Sequence, residues 1–285
     1  MRMHKSIIFC LMISLFVACQ DSPDDIPFRF DIQSVTLNTS SDQGTSSHNI
    51  KDVWVFNEGV DVGVFELPSE IPLIPVDERE SSDIQISPGV RNNGINSATI
   101  IYPFYTSFFY DRPLTKGELE VLDLEVEYRP DAKIVFNESF EFGNNFTFDE
   151  DENPDTKMTV STDEVFEGEG SGYIYLRDSI DFIEVGSDVT FSDFPINGSP
   201  IFMELNFKTD TELVIGLVGQ LGTSSVKNYF IVLNPTDVWK KIYVDLTFQV
   251  FDSQLPAYKI LFSAGLPEGQ SESNIYIDNV KILHF

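Results

Sequence analysis

The sequence predicts a nearly all-β chain, arranged as two β-sandwich domains behind a short apolar leader. Three observations carry that expectation. Short runs rich in β-branched and aromatic residues recur, among them Val53-Trp54-Val55-Phe56, Tyr173-Ile174-Tyr175-Leu176 and Ile275-Tyr276-Ile277; such residues suit a pleated, half-buried surface. Asn, Asp, Gly and Pro bound these runs, as they bound the strands of sandwiches. No long stretch repeats its apolar residues at the helical period.

The first 27 residues read as an address. Arg2 and Lys5 precede an apolar run from Ile7 to Ala18, 12 residues interrupted only by Ser14. Crossing a bilayer takes about 20 helical residues, so residues 1–18 read instead as a secretory signal peptide. Phe16-Val17-Ala18-Cys19 resembles the lipobox of bacterial lipoproteins, with Phe16 where leucine is usual. The resemblance implies cleavage before Cys19 and a covalent lipid on Cys19, each buried methylene adding about 0.8 kcal/mol of membrane affinity. The chain has two cysteines and Cys10 lies in the leader, so a single cysteine remains and no internal disulfide is expected. Residues 19–27 form an acidic tether. Gln20-Asp21-Ser22-Pro23-Asp24-Asp25 resembles the export tag of Bacteroidota-type lipoproteins; the alternative is a plain solvated linker. The expected location is the outer membrane, facing the exterior, held by the lipid alone.

A first domain is expected over residues 28–130. Phe30 to Leu37 alternates apolar and polar, as an antiparallel strand with one wet face does. Ser40 to Asn49 is a loop. Val53–Phe56, the turn Asn57-Glu58-Gly59 and Val60–Leu67 read as a hairpin whose glycine takes positive φ. Ile84–Gly89, Ala98–Tyr102 and Leu119–Tyr128 bring the total to about seven strands in roughly 100 residues, which suits an immunoglobulin-like sandwich. Val53–Phe56, Gly63-Val64-Phe65-Glu66-Leu67-Pro68, Pro88-Gly89-Val90-Arg91-Asn92-Asn93-Gly94-Ile95 and Tyr102-Pro103-Phe104-Tyr105 resemble motifs of Bacteroidota-type surface lipoproteins, which imply no activity. The aromatic run Tyr102, Phe104, Tyr105, Phe108, Phe109 and Tyr110 has two readings, a platform for a sugar ring or packing in the core and between domains.

A second domain is expected over residues 134–285. Its strands are Tyr173–Leu176 after a glycine-rich turn, Ile201–Lys208, Leu213–Leu217, Tyr229–Leu233, Trp239–Thr247 and Lys259–Ala264. Its opening Asn137-Glu138-Ser139-Phe140-Glu141, its strand Trp239-Lys240-Lys241-Ile242-Tyr243-Val244-Asp245-Leu246 and its closing Ile277-Asp278-Asn279-Val280 resemble the galactose-binding-like jelly roll. That fold is shared by many carbohydrate-binding modules. The resemblance implies three things: a β-sandwich, a polysaccharide partner, and a structural calcium near the joined termini. The matching acids are Glu141 and Asp278, with Glu138 as a third; carboxylates and loop carbonyls supply the oxygens calcium needs. The alternative is that Asp278 and Asn279 only turn the last strand. Trp239, Tyr229 and Tyr258 are the candidate sugar-stacking residues.

Charge and motif content narrow the function. The formal net charge is −28, and removing residues 1–18 takes two cations and no acid, leaving −30. Nucleic acid is a poor partner for such a chain. Asp149, Asp151, Asn153 and Asp155 alternate like half an EF-hand, but Pro154 and Val160 replace its glycine and glutamate, so a solvated loop is expected. The three histidines, His4, His48 and His284, form no metal pattern, and no Gly-x-Ser-x-Gly elbow occurs. A two-carboxylate glycosidase stays open among 46 acids, but no catalytic residue is assigned and the chain is read as no enzyme. Two partners remain: a polysaccharide, or an envelope protein docked on the aromatic first domain.

Overall fold

In the computed structural model, which describes residues 26–75 and 81–285, the chain is nearly all β. The expected leader 1–18, Cys19 and the tether to residue 25 lie outside the described residues. Ten short strands come first: β1 (Phe28–Ile32), β2 (Val35–Asn38), β3 (Asp52–Asn57), β4 (Val60–Glu66), β5 (Ser69–Leu73), β6 (Ile84–Arg91), β7 (Thr99–Ile101), β8 (Phe108–Tyr110), β9 (Leu119–Val121) and β10 (Leu124–Glu127). They form a sheet ordered β4-β3-β6-β7 with β8 also on β6, a sheet β5-β1-β9 and the pair β2–β10. The turn between β3 and β4 has positive φ at Glu58 and Gly59, 53° and 73°, as a two-residue hairpin turn requires.

Two spans expected as single strands break in two. Phe30–Leu37 divides at Gln33-Ser34 into the end of β1 and β2, and Leu119–Tyr128 divides at Leu122-Asp123 into β9 and β10. Each break is a corner where the chain passes to another sheet. Burial continues through the first corner, from Phe28, Phe30 and Ile32 to Val35 and Leu37, because both sheets face one core. Both second halves pair in parallel with each other, as do β1 and β9.

The remaining strands are β11 (Lys133–Glu138), β12 (Phe148–Asp149), β13 (Thr159–Ser161), β14 (Ser171–Arg177), β15 (Phe182–Gly186), β16 (Ile201–Thr209), β17 (Leu213–Leu221), β18 (Ser224–Leu233), β19 (Thr236–Asp245), β20 (Ala257–Gly265) and β21 (Glu272–His284). They make the two sheets of a jelly roll. One is ordered β13-β14-β21-β16-β19 with β11 also on β21; the other is β12-β15-β20-β17-β18. Met203, Leu205 and Phe207 of β16 pack against Ile215, Leu217, Ile260 and Phe262 of the facing sheet. A helix, α1 (Thr247–Ser253), follows β19 where the strand was expected to run on through Thr247. Only Val250 of α1 is buried, and Phe248 and Phe251 face outward, so the segment shows no amphipathic period from which a helix could be read.

Strand parity decides how the two parts join. On β16, Met203, Leu205 and Phe207 point into the jelly roll, so Phe202, Glu204 and Asn206 point out, and the first part of the chain covers them. Register places Tyr243, Glu204 and Lys281 side by side across β19, β16 and β21. Phe202, Tyr243 and Leu283 belong to the same apolar cluster as Tyr102, Phe104 and Tyr105. Glu204 is fully buried. It accepts hydrogen bonds from the Tyr102 hydroxyl at 2.7 Å and the Tyr128 hydroxyl at 3.0 Å, and lies 3.2 Å from Lys241 Nζ. Lys281 Nζ donates to Thr45 O at 2.7 Å and to the Tyr128 hydroxyl at 3.3 Å. Burial pushes Lys281 down to about 8, against the pull of Glu204, and holds the Tyr102, Tyr105 and Tyr128 hydroxyls well above their ordinary range.

Candidate functional site

The outer face of the five-stranded jelly-roll sheet carries a built arrangement of polar and aromatic side chains. Ile183 and Val185, Ile215 and Leu217, and Ile260 and Phe262 point inward. Parity therefore turns Glu184, Gly216 and Lys259 outward. Tyr229 pairs with Gly216 at a β-bulge on β18, and the residue is 46% exposed. Its hydroxyl donates to Glu184 on β15. Between β18 and β15 lie β17 and β20, a span of roughly 14 Å at the usual strand spacing. The Tyr229 side chain thus lies along the sheet rather than standing off it.

Polar tethers hold this face in place. Lys227 Nζ donates to Glu184 Oε2 at 2.6 Å and to the Glu150 carbonyl at 2.5 Å. Glu184 is 8% exposed, so its two oxygens are used up by Lys227 and Tyr229. Burial, then the bond to Glu184, pushes the Tyr229 hydroxyl up to about 12. On the far edge, Lys259 Nζ donates to Ser187 O at 2.7 Å and sits 4.1 Å from the Phe148 ring centre. Phe148 remains 45% exposed. The face offers two half-exposed rings on a rigid sheet, with hydrogen-bonding groups between them.

The three candidate stacking residues part company. Tyr229 lies on this face. Trp239 lies on the other sheet, half-buried, with Nε1 donating to Glu164 Oε1 at 2.9 Å and its ring edge-on to Phe166 at 5.7 Å. Tyr258 is 2% exposed and is no surface contact. Its parity on β20 is that of Ile260, and its hydroxyl accepts from Leu255 N at 2.8 Å, bracing the end of α1. The run from Tyr102 to Tyr110 takes the packing reading: Tyr102, Phe104, Tyr105 and Tyr110 are buried and only Phe109 is well exposed. Lys227, Glu184 and Phe148 were not singled out from the sequence. A signal existed in Ile183-Glu184-Val185, an acid alternating with core residues.

Glu138, Glu141 and Asp278 do not fit one shared ion. Glu138 accepts from Phe140 N at 2.6 Å and Asn145 N at 2.8 Å. Glu141 accepts from Glu169 N and Gly170 N, at 2.9 and 3.1 Å. Asp278 accepts from Phe166 N and Glu167 N, both at 3.2 Å, and from Asn279 N at 2.7 Å. Glu141 and Asp278 both tie down the loop that leads into β14, while Glu138 ties down a separate one after β11. Among the described residues no three acidic, histidine or cysteine side chains are placed to hold a metal. The acidic loop from Asp149 is knit to itself and to β15, Asp151 accepting from Thr156 Oγ1 at 2.8 Å and from Glu184 N at 2.8 Å.

Asp278 has a consequence for pH. Burial pushes its carboxyl up to about 7, opposed by the three N–H donors and aided by nearby Glu141. A free aspartate titrates near about 3.9. Between these values the folded protein keeps a proton that the unfolded chain has lost. Stability from this group is complete below about pH 4 and lost as pH rises through about 7. Asp278→Asn is expected to flatten the fall in Tm between about pH 4 and 7. Thermal melts across that range check this, and an unchanged slope would assign the effect elsewhere.

No protein-family model matches the chain, and a search of curated proteins finds no match. Among solved structures it is similar to the CBM22-1 xylan-binding domain of Paenibacillus barcinonensis Xyn10C, with 13% identity, 53% of this chain, 94% of that one and a TM-score of 0.38. It is also similar to the family 30 carbohydrate-binding module of a Clostridium thermocellum cellulosomal cellulase, with 11% identity, 54% and 94% coverage and a TM-score of 0.37. A third is the enzymatically active domain of bacteriophage CBA120 tailspike protein 4, with 14% identity, 57% and 26% coverage and a TM-score of 0.39.

Proposed function

We propose that this chain is a non-catalytic glycan-binding lipoprotein, anchored to the outer membrane through Cys19 and facing the exterior. Polysaccharide binds on the outer face of the sheet β12-β15-β20-β17-β18. One observation supports this most: Tyr229 lies along that face, half-exposed, with its hydroxyl fastened to a buried carboxylate. An aromatic ring fixed in this way presents an apolar plane to the C–H face of a sugar at little entropic cost. Glu150, Lys227 and Lys259 surround it with groups that hydrogen-bond hydroxyls. The anchor and its orientation rest on the lipobox and acidic-tag resemblances.

Affinity electrophoresis against a panel of polysaccharides tests this reading. Retardation by at least one of them is expected, and Tyr229→Ala should weaken it on the order of tenfold, the worth of one aromatic contact. Silence across the panel would sink the proposal. A second reading, docking to an envelope protein, draws on the edge of β4, where Val60, Val62 and Val64 are exposed on a strand that among the described residues pairs only with β3. Such an edge suits strand addition by another chain. Cross-linking on whole cells distinguishes the two.

A further inference from the structure

Beside the edge strand β19, the first part of the chain leaves a cleft of about 630 Å³, within the usual range for small-molecule sites. Lys51, Arg91, Lys240 and Lys241 line it, a gathering of cations in a chain of net charge −28. Arg91 is committed to buried Asp52 and lies 3.7 Å from Glu66, the one acid among the described lining residues. Lys51 and Lys240 are exposed, with no acid in ion-pair range among the described residues. Four cations set against Asp52, Glu66 and Glu204 leave the described part of the cleft net positive by one charge.

Lys241 supplies an independent pointer. Its side chain is 3% exposed and its Nζ, though 3.2 Å from Glu204, makes no hydrogen bond. A buried ammonium with donors unmet is unfavourable, and Lys241 lines both this cleft and the adjoining hollow beside His48 and Trp239. Its ammonium lies beneath the cleft wall, facing Glu204, and acts on a ligand through its charge rather than by contact. Side-chain amides complete the wall. Asn49 gives its amino group to Lys241 O at 3.0 Å, and the Asn93 carbonyl oxygen accepts from Asp245 N at 2.8 Å. Each keeps its other end for a ligand, one an acceptor and one a donor, as paired hydroxyls require. Among the described residues the one ring in the wall, Phe207, is 5% exposed, so they offer a flat base or aromatic ligand no partner for stacking.

We propose that this cleft binds an acidic sugar, a hexuronate unit, its carboxylate drawn by Lys51, Lys240 and Lys241 and its hydroxyls met by Asn49 and Asn93. The site lies between β19 and the end of β18, and Tyr229, which reaches away to Glu184, is not among its described lining residues, so it stands or falls apart from the face described above. Calorimetric titration of the full chain tests it with digalacturonate, with the methyl ester of that disaccharide, and with sodium sulfate. The ester keeps every hydroxyl and removes only the charge. Saturable binding of the acid is expected, about tenfold or more weaker for the ester and for the Lys51→Ala/Lys240→Ala variant, since two charge-assisted contacts are lost. Both lysines are exposed, so the variant keeps its fold, which circular dichroism verifies, and Tyr229→Ala should leave this affinity unchanged. Equal binding of acid and ester, insensitivity to the lysine variant, loss on Tyr229→Ala instead, or no binding would each overturn the proposal. Sulfate binding as tightly as the uronate would mean an adventitious ion only, and would overturn it as well.

Discussion

Glu204→Ala is expected to destabilise the protein by about 3–5 kcal/mol, because removing one member of a buried charge group strands the others. Glu204 is fully buried between Lys241, Tyr102 and Tyr128, with Lys281 beside it in register. Alanine would leave the two ammonium groups in the seam without a counter-charge and the two hydroxyls without an acceptor. Total stabilities of single folds are about 5–15 kcal/mol, so the loss is a large share of the whole. Glu204→Gln keeps the shape and one acceptor oxygen but not the charge, and should fall between wild type and alanine. It should also drive Lys281 further below its position near 8, since Glu204 is the group now holding that pKa up. Urea unfolding of the three proteins measures the ladder; a loss under about 1 kcal/mol for alanine, the range of an exposed ion pair, would show the seam to be open to water.

The second large effect concerns the independence of the two parts. Calorimetry of the full chain is expected to show one cooperative transition, and residues 131–285 alone should not fold to a stable monomer. The reason is shared burial. Phe202, Tyr243 and Leu283 sit at 3%, 1% and 0% exposure in a cluster made mostly by the first ten strands. In the fragment those side chains would face water together with Glu204, Lys241 and Lys281, a patch that is apolar and charged at once. Each large apolar side chain so exposed costs about 1.5–3 kcal/mol. Tyr243 O and Asp245 N would also lose Asn93 as their partner along the edge of β19. Two well-separated transitions, or a fragment with a sharp melt of its own, would refute the coupling.

Much of the architecture was legible from residue types. The turn at Glu58-Gly59 and the all-β class follow from local chemistry: positive φ, β-branched runs, polar punctuation. The corners at Gln33-Ser34 and Leu122-Asp123 were not legible, because burial on both sides of a corner keeps the same alternation as an unbroken strand. Helix α1 was hidden for the opposite reason, having only Val250 inside. In the candidate site, Tyr229 was singled out and Lys227, Glu184 and Phe148 were not; a lysine two positions from a tyrosine in a strand says only that both face one way.

Parity marks the boundary between the two kinds of knowledge. Ile201-Phe202-Met203-Glu204-Leu205-Asn206-Phe207 contains its own alternation, and from it the sequence alone determined that β16 has one face of Met203, Leu205 and Phe207 and another of Phe202, Glu204 and Asn206. Whether that second face meets water or another layer was undecidable locally, because a glutamate in a strand is ordinary on a wet face and costly on a dry one. Tertiary structure decided it by laying Tyr102 and Tyr128, some 100 and 76 residues away, against Glu204. The same holds for Tyr258 and Tyr229, equal on paper as candidate contacts. One points into the core beside Ile260, and the other crosses the open sheet to Glu184. Side-chain direction is local and was written in the chain; what stands opposite is not, since it depends on contacts between residues far apart in sequence.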